Sequence, residues 1–197
     1  MPSEPVPPAA PHTNPLLRRF LLDLLPRGSV GAEIGVHHGD FSAAILEAVA
    51  PRVLHLIDPW KHEAAPEYSA AWYGGRASGA QAEMDERYGG VVARFAEEIA
   101  RGQVIVHRST SDVALAELAD SSLDWVYIDG NHRYEFVVED LELSLAKTRS
   151  GGLVTGDDYA EGGWWEGGVK RAVDELAASG RARLITIQDR QFVFERP

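Results

Sequence analysis

Hydrophobic residues along the chain alternate between short continuous runs and stretches with helical spacing. The continuous runs lie at 29–34, 53–57, 104–106, 123–128 and 153–155. Runs of this length are typical of strands that are buried on both faces of a parallel sheet. Apolar residues recur with the spacing of a helix over 41–49 and over 136–145. This alternation predicts a parallel sheet that is covered by helices on both faces.

The last segment of the chain has a different pattern. Two strand-like runs, 183–188 and 191–196, are separated only by Asp189 and Arg190. A separation of two residues is typical of a β-hairpin. The sequence therefore predicts a mostly parallel sheet that is closed by an antiparallel C-terminal hairpin.

Two segments lie outside this alternation. Residues 14–25 have the pattern of an amphipathic helix, with Asn14 in the capping position and Pro15 in the first turn. Residues 60–80 form an irregular insertion after the second run, and a helix is predicted to follow over 81–100. The start of the chain, 1–13, is rich in proline and alanine, which predicts a disordered arm before a single domain at 14–197.

The composition supports one globular domain and narrows the range of partners. The chain has 197 residues, of which 45% are hydrophobic and 25% are charged, the balance of an ordinary globular protein. The net charge of −11 disfavours nucleic acid as a partner, since phosphate binding needs clustered Lys and Arg. No apolar run approaches the roughly 18 residues of a membrane span. The chain has no cysteine and no signal pattern, and we expect a cytoplasmic protein.

A glycine turn follows the first run, in the sequence Glu33-Ile34-Gly35-Val36-His37-His38-Gly39. Ligands bind at the carboxyl ends of the strands in an open parallel sheet, and glycine lets them approach the backbone. The spacing differs from the Gly-x-Gly-x-x-Gly pattern of dinucleotide sites, which disfavours a nicotinamide oxidoreductase. The turn suits a ligand without phosphate, such as S-adenosylmethionine (SAM). Glu33 matches the cationic end of SAM, and Asp58, after the second run, matches its ribose hydroxyls.

Three aspartates follow the fourth and fifth runs, at Asp129, Asp157 and Asp158. Strands that are joined by one helix are neighbours, so these carboxylates should meet at one edge of the sheet. Crowded carboxylates repel one another unless a cation lies between them, and Mg²⁺ prefers ligands that are all oxygen. Adjacent strand residues point to opposite faces, so Asp157 and Asp158 share a metal only where Gly156 ends the strand. The alternative is that one of the two caps the next segment.

Four motifs resemble those of the class I SAM-dependent methyltransferases, and within them the small single-domain methyltransferase 24 family. They are EIGVHHGDFS at 33–42, LIDPW at 56–60, DWVYIDGNHRY at 124–134 and the segment 151–159. The resemblance covers about 30–159. It implies a Rossmann-like three-layer α/β sandwich whose seven-stranded, mostly parallel sheet is closed by the C-terminal antiparallel hairpin. It also implies that Glu33, Gly35 and Asp58 contact SAM and that residues 109–112 flank the adenine.

The resemblance also bears on the chemistry. Similar O-methyltransferases of the catechol and sugar type have an acid after the fourth strand and an acid pair after the fifth, which the three aspartates match. Catechol-type enzymes have a lysine base three residues after the first acid; this chain has His132 there, a reasonable base near neutral pH. We expect divalent-metal-assisted methyl transfer to a hydroxyl of a small molecule. The alternatives are a metal-independent N-methyltransferase and a non-catalytic SAM-binding protein.

The candidate site residues fall into four groups. The expected SAM-binding residues are Glu33, Gly35, Val36, His37, Gly39, Ser42, Asp58, Pro59, Trp60, Ser109, Thr110, Ser111 and Asp129. The expected catalytic residues are Asp129 and His132, and the expected Mg²⁺ ligands are Asp129, Asp157 and Asp158. Substrate contacts are expected from Trp60, Trp72, Tyr73, His132, Tyr159, Trp164 and Trp165. The N-terminal helix should cover the site or form a homodimer contact.

Overall fold

The computed structural model describes residues 18–197, so the expected arm at 1–13 and the start of the first predicted helix lie outside the described residues. The strands are β1 (Val30–Ile34), β2 (Val53–Ile57), β3 (Val104–His107), β4 (Leu123–Ile128), β5 (Thr148–Gly156), β6 (Arg183–Gln188) and β7 (Gln191–Glu195). The helices are α1 (Arg19–Leu24), α2 (Asp40–Ala48), α3 (Ala80–Arg94), α4 (Ala96–Ala100), α5 (Ser111–Ala116), α6 (Tyr134–Lys147) and α7 (Gly168–Ser179). No helix in residues 18–197 is long and apolar enough to cross a membrane.

The strands form one sheet in the order β3-β2-β1-β4-β5-β7-β6. Strands β1 to β5 pair in parallel, and β7 pairs antiparallel with both β5 and β6. This confirms the predicted fold, including the closing hairpin. The order reverses at β1, which has β2 on one side and β4 on the other, and ligands bind beyond such a switch point in open α/β sheets.

Each face of the sheet has its own hydrophobic core. On one face, α5, α6 and α7 cover a cluster that includes Ile34, Val126 and Ile128. On the other, α1, α2 and α3 cover a cluster that includes Leu54 and Trp125. Neighbouring residues along a strand enter opposite cores because strand side chains alternate between the faces. Burial on both faces explains why these strands are continuous apolar runs.

Several elements differ from the sequence prediction, among them α5 (Ser111–Ala116), where no helix was expected. The helix expected over 81–100 breaks at Phe95, whose φ and ψ are −108° and 23°, and this divides it into α3 and α4. Strand β5 begins at Thr148, before Gly151 and Gly152, because the buried Thr148 pairs with Leu123 across a register shift. Helix α7 was not predicted; its apolar residues lie between charged ones and bury one face.

Helix α1 packs the beginning of the described chain against the core. Leu21 and Leu22 are buried, and so is Leu25 directly after the helix. They join the same cluster as Ile45 of α2. This docking places the preceding residue, Arg18, at the carboxyl ends of β4 and β5, where its guanidinium meets two of the expected site residues.

Candidate active site

The carboxyl ends of β1, β4 and β5 lie side by side, which brings the expected site residues together. Ile34 is in register with Ile128, and Ile128 is in register with Gly156. The residue after Ile128, Asp129, donates its N–H to the carbonyl of Ile34, 2.7 Å away. The next strand end repeats the pattern, since Asp157 donates its N–H to the carbonyl of Ile128. The glycine turn and the aspartates therefore share one edge of the sheet.

Gly35 fits this edge because it has no side chain. Its φ is +89°, and a Cβ at this position would lie 2.0 Å from the carbonyl oxygen of Asp129. Gly39 also has a positive φ, and a Cβ there would meet the ring of Phe95 at 2.8 Å. Any residue other than glycine would thus be strained and would clash at both positions. The turn leads directly into α2, which begins at Asp40.

Asp58 organises the glycine turn from the end of β2. Its Oδ2 accepts the backbone N–H groups of Val36 and His37 at 2.9 and 3.1 Å, and its Oδ1 accepts the N–H of Trp60 at 2.7 Å. The hydroxyl of Tyr73 donates to the same Oδ2. Burial raises the pKa of Asp58 above its ordinary value, although these four donors oppose the rise. In this conformation Tyr73 holds the carboxylate that the sequence assigns to the ribose hydroxyls.

Glu33 lies under the turn, on β1, with its side chain buried. The hydroxyl of Ser42 on α2 donates to its Oε2. Burial raises the pKa of Glu33 to about 8, although the hydrogen bond from Ser42 opposes the rise. A cationic ligand beside it would favour the carboxylate form, which is the form the SAM hypothesis requires.

A guanidinium that the sequence did not predict lies among the acids. Arg18 Nη2 is 3.1 Å from Asp129 Oδ2 and 2.5 Å from Asp157 Oδ2. Its guanidinium carbon also lies 5.1 and 5.7 Å from the ring centroids of Phe41 and Tyr127. A single arginine next to a short amphipathic helix carries no sequence signal of such a role. Only the docking of α1 brings it to this position.

Arg18 lies between Asp129 and Asp157, whose pKa values shift in opposite directions. Burial alone would raise the pKa of Asp129, but Arg18 and His132 outweigh that effect and hold it below its ordinary value. Burial and the negative charge of Asp129 raise the pKa of Asp157 to about 6, although Arg18 opposes the rise. Two carboxylates that share one cation are expected to diverge in this way.

His132 lies between two carboxylates on the other side of Asp129. Its Nε2 is 3.4 Å from Asp129 Oδ1, and its Nδ1 is 3.3 Å from Asp158 Oδ2. Burial would lower the pKa of His132, but the two acids outweigh burial and raise it. The imidazole faces the rings of Trp164 and Trp165, with centroid distances of 5.8 and 5.1 Å. The expected base and two expected substrate residues therefore meet at one place.

The two adjacent acids after β5 turn to different partners. Asp157 points to Arg18, whereas Asp158 adopts a left-handed φ of +61° and points to His132 and Arg190. The divergence accompanies this left-handed backbone, which follows the end of β5 at Gly156. Among residues 18–197, the donor atoms that converge within 4.8 Å belong to Asp129, His132 and Asp158. This set differs from the three expected aspartates, since it contains His132 and leaves out Asp157.

The positively charged groups beside Asp129 mark where a divalent cation would fit. Two positions for positive charge share Asp129, one between Asp129 and Asp157 and one between Asp129 and Asp158. The chain fills the first with the Arg18 guanidinium and the second with the His132 imidazole. The first has only carboxylate oxygens as donors, the ligand type that Mg²⁺ prefers. Arg18 Nη2 stands in for a cation there, so the residues fit such an ion once the guanidinium moves away.

The other expected residues occupy several environments. After β3, Ser109 is half-buried and Thr110 is exposed. The Ser111 hydroxyl donates to the buried Asp140. The half-buried Pro59 lies between Asp58 and Trp60. Trp60 is fully buried, donates its indole N–H to the carbonyl of His37 and packs on Tyr88, so it offers no surface to a substrate in this conformation. Its position beneath the turn is structural.

The remaining aromatic residues divide between the insertion and α7. Trp72 is 44% exposed and lies near the imidazole of His37, as Tyr73 does. Tyr159 donates its hydroxyl to Asp174 on α7, at the edge of the cluster. Tyr68, which was not among the expected residues, packs on Trp164 and accepts the side-chain amide N–H of Asn131. Tyr68 therefore extends the aromatic wall beside His132.

The fold is similar to that of several solved structures, two of which are described as methyltransferases. A protein of Corynebacterium glutamicum aligns at 16% identity with a TM-score of 0.64, over 96% of this chain and 82% of its own. The O-methyltransferase TomG of Streptomyces achromogenes, involved in tomaymycin synthesis and solved in complex with SAM, aligns at 16% identity and 0.59, over 92% and 78%. Precorrin-6y C5,15-methyltransferase of Geobacter metallireducens aligns at 16% identity and 0.56, over 85% and 71%. At these identities the likeness concerns the fold.

The sequence itself matches a family model. A search of curated proteins gave no match. The family model of the methyltransferase 24 group, described as a methyltransferase domain, matches residues 32–159. This range is more than half of the chain and extends from β1, past the glycine turn, to the residue after the Asp157–Asp158 pair. The chain therefore belongs to the methyltransferase 24 family, which confirms the family that its motifs indicated.

Proposed function

We propose that this protein is a SAM-dependent O-methyltransferase that acts on a hydroxyl group of a small molecule with the help of a divalent cation. The observation that carries the proposal is the position of His132. It lies between Asp129 and Asp158, beside the glycine turn, with two tryptophan rings facing it. A base, a group of acids and an aromatic wall thus meet where a methyl donor and an acceptor would meet.

The glycine turn and its supports provide the donor side. Gly35 lets the backbone of Asp129 lie directly against the turn, Glu33 lies below for the cationic end of SAM, and Asp58 lies across from it for the ribose. SAM would supply an electrophilic methyl group at this edge. The backbone around Gly35 is held by the hydrogen bond from its N–H to the carbonyl of Ile57 and by Asp58. A fixed turn of this kind limits the motion of the donor and holds it in line for transfer.

The acids and His132 provide the acceptor side. A divalent cation held between Asp129 and Asp157, where the Arg18 guanidinium lies, would lower the pKa of a substrate hydroxyl. His132 in its neutral form accepts the hydroxyl proton, and Asp129 and Asp158 stabilise the imidazolium that results. Trp164 and Trp165 cover the imidazole and keep water away from the reacting oxygen. The substrate oxygen would gain the methyl group as the methyl–sulfur bond of SAM breaks and S-adenosylhomocysteine leaves, while the substrate's proton stays on His132 until it is released to solvent.

The position of Arg18 favours a second candidate, a methyltransferase that uses no metal. With the guanidinium in place, Asp129 and Asp157 have a counter-ion of their own and need no added ion. Such an enzyme would rely on His132 alone to remove the proton, or would methylate an amine. Its activity would be unaffected by chelation.

Three measurements test the proposed function. S-adenosylhomocysteine should bind the wild-type protein in calorimetry, and methyl transfer should be detected across a panel of catechols, phenols and sugars. His132→Gln should lower transfer by roughly 100-fold or more, the range of general-base contributions, while S-adenosylhomocysteine still binds. His62→Gln, in the insertion, is the matched control and should have wild-type rates. Absence of binding would refute SAM dependence, and full activity in excess EDTA would select the metal-free candidate.

A further inference from the structure

We propose that Arg18 is a tethered cation that competes with a divalent metal ion for the Asp129–Asp157 carboxylate pair, so that the docking of α1 controls metal loading. This inference rests on the proposed metal-assisted function and assigns a role to a residue outside the matched family region, 32–159. It concerns the resting state of the protein before substrate binds.

The geometry shows that Arg18 occupies a cation position. A single nitrogen, Nη2, contacts one oxygen of Asp129 and one of Asp157, at 3.1 and 2.5 Å. The side chain is 17% exposed, and the guanidinium also lies against the rings of Phe41 and Tyr127. Opposite charges, partial burial and two aromatic contacts fix the group at one place.

The other oxygens of the two acids are engaged elsewhere. Asp129 Oδ1 faces His132, and Asp157 Oδ1 accepts the backbone N–H of Asp158. The two Oδ2 atoms that face each other across Arg18 are therefore the ones left for an added ion, and the one on Asp129 also accepts the Tyr127 hydroxyl at 3.4 Å. A divalent cation and a guanidinium cannot both use them, since two positive charges a few Å apart in a partly buried site repel strongly. Occupation by one excludes the other.

The contacts of the Arg18 guanidinium leave room for it to withdraw from the two carboxylates. Arg18 Nε is buried and has no hydrogen-bond partner among residues 18–197, so within this range part of the binding capacity of the group is unused. Helix α1 has six residues, and the N–H of Leu22 donates to the carbonyl of Arg18. Withdrawal of Arg18 therefore needs movement at the first turn of a short helix, while Leu21 and Leu25 can remain buried. Short helix ends are among the parts of a protein that open most readily.

Competition of this kind is reciprocal. If docked α1 weakens metal binding by a given factor, bound metal weakens the docking of α1 by the same factor. The apparent metal affinity of the wild-type protein is reduced according to the fraction of molecules in which Arg18 has withdrawn. Removal of the guanidinium should therefore strengthen metal binding, although the substitution removes a contact from the site.

The test measures metal binding directly. Isothermal titration calorimetry measures Mn²⁺ binding to the full chain. It compares the wild type with Arg18→Gln, Arg18→Lys and the control Arg19→Gln. Arg19 is the exposed neighbour of Arg18. We expect Arg18→Gln to bind Mn²⁺ on the order of tenfold more tightly than the wild type, a typical coupling factor. The Mn²⁺ affinity of Arg18→Lys should be intermediate, because an ammonium keeps the positive charge but lacks the forked N–H donors of the guanidinium. This variant also replaces Arg18→Gln in the comparison if the Gln variant folds poorly. Arg19→Gln should match the wild type.

Hydrogen exchange provides the second readout. Mn²⁺ should speed amide exchange in residues 19–25 of the wild type and leave it unchanged in Arg18→Gln. Equal or weaker Mn²⁺ binding by Arg18→Gln, or no binding by either protein, would overturn the inference. S-adenosylhomocysteine binding, measured in parallel on the same samples, separates this failure from failure of the proposed function, because it does not depend on the metal.

Discussion

Tyr73 in the insertion donates its hydroxyl to Asp58 at the end of β2, with the two oxygens 2.5 Å apart. The same carboxylate also accepts backbone N–H groups of the glycine turn. Asp58 thus joins the insertion, 60–80, to the turn that the proposed methyl donor would contact. The position that the sequence assigns to a ribose hydroxyl is held by a tyrosine of the chain itself. A donor molecule must displace this hydroxyl before it can use Asp58.

The first prediction concerns this exchange. Tyr73→Phe removes the competing hydroxyl and keeps the ring, so S-adenosylhomocysteine should bind roughly threefold to tenfold more tightly, the value of one net hydrogen bond. Calorimetry at neutral pH measures the change. Tyr134→Phe is the control, since it removes a tyrosine hydroxyl that bonds to the exposed Glu175 on α7. Weaker binding by Tyr73→Phe would show that the hydroxyl joins the ligand rather than competing with it.

The second prediction concerns the glycine turn. Gly35→Ala places a methyl group 2.0 Å from the Asp129 carbonyl oxygen at a φ of +89°. We expect a loss of about 3 kcal/mol in the free energy of unfolding, from overpacking and backbone strain together. Urea denaturation provides the measurement. Gly102→Ala is the matched control, because Gly102 has a φ of +73° and a Cβ there would meet nothing within 4 Å. Strain alone should cost the control about 1 kcal/mol. Equal losses would refute the close approach of Gly35 to Asp129.

Much of the fold follows from the sequence because strand ends coincide with changes in polarity. Strands β2 and β4 have the predicted bounds, since each apolar run ends at an aspartate that begins the loop. Helix α7 was missed because its apolar residues are separated by charged ones and it begins with Gly168. Gly167 precedes the helix in a left-handed conformation, and Gly168 is its first residue.

The candidate site was predictable only where residues lie at strand ends. Asp129, Asp157 and His132 gather there because neighbouring parallel strands end together. The contacts of Arg18 and Tyr73 were not predictable, because both residues belong to segments without strand periodicity, and a side chain from such a segment can reach many places. The separate directions of Asp157 and Asp158 depend on a left-handed turn at a non-glycine residue, which the sequence does not reveal.

The third prediction concerns pH and the buried Asp140 on α6. Burial raises its pKa to about 7, although the Ser111 hydroxyl opposes the rise by donating to it. The folded protein therefore holds a proton that the unfolded chain releases near the ordinary aspartate pKa of 3.8. Stability is lost as pH rises from about 4 to about 7, since the unfolded state binds fewer protons over that range.

Asp140→Asn should remove this loss, because asparagine accepts the same hydrogen bond from Ser111 without a charge. Relative to the wild type, its free energy of unfolding should increase steadily between pH 4 and pH 7 and stay constant above. Urea denaturation at a series of pH values checks the slope. Asp189→Asn, at the exposed turn of the C-terminal hairpin, should show no such slope. A parallel profile for Asp140→Asn and the wild type would show that Asp140 ionises normally.

The fourth prediction concerns Phe95, the residue at the helix break, and its effect on the glycine turn that would bind the methyl donor. Phe95, between α3 and α4, is buried and lies where a Cβ of Gly39 would be. Phe95→Ala should cost about 3–5 kcal/mol of unfolding free energy, the usual result for a buried phenylalanine. It should also weaken S-adenosylhomocysteine binding, because the cavity lets the glycine turn move away from the position that Asp58 sets. Phe136→Ala, on α6, is the matched control, since Phe136 is 41% exposed. That variant should stay within about 1 kcal/mol of the wild type and keep its ligand affinity. If Phe95→Ala loses stability but binds the ligand as the wild type does, Asp58 alone is sufficient to hold the turn.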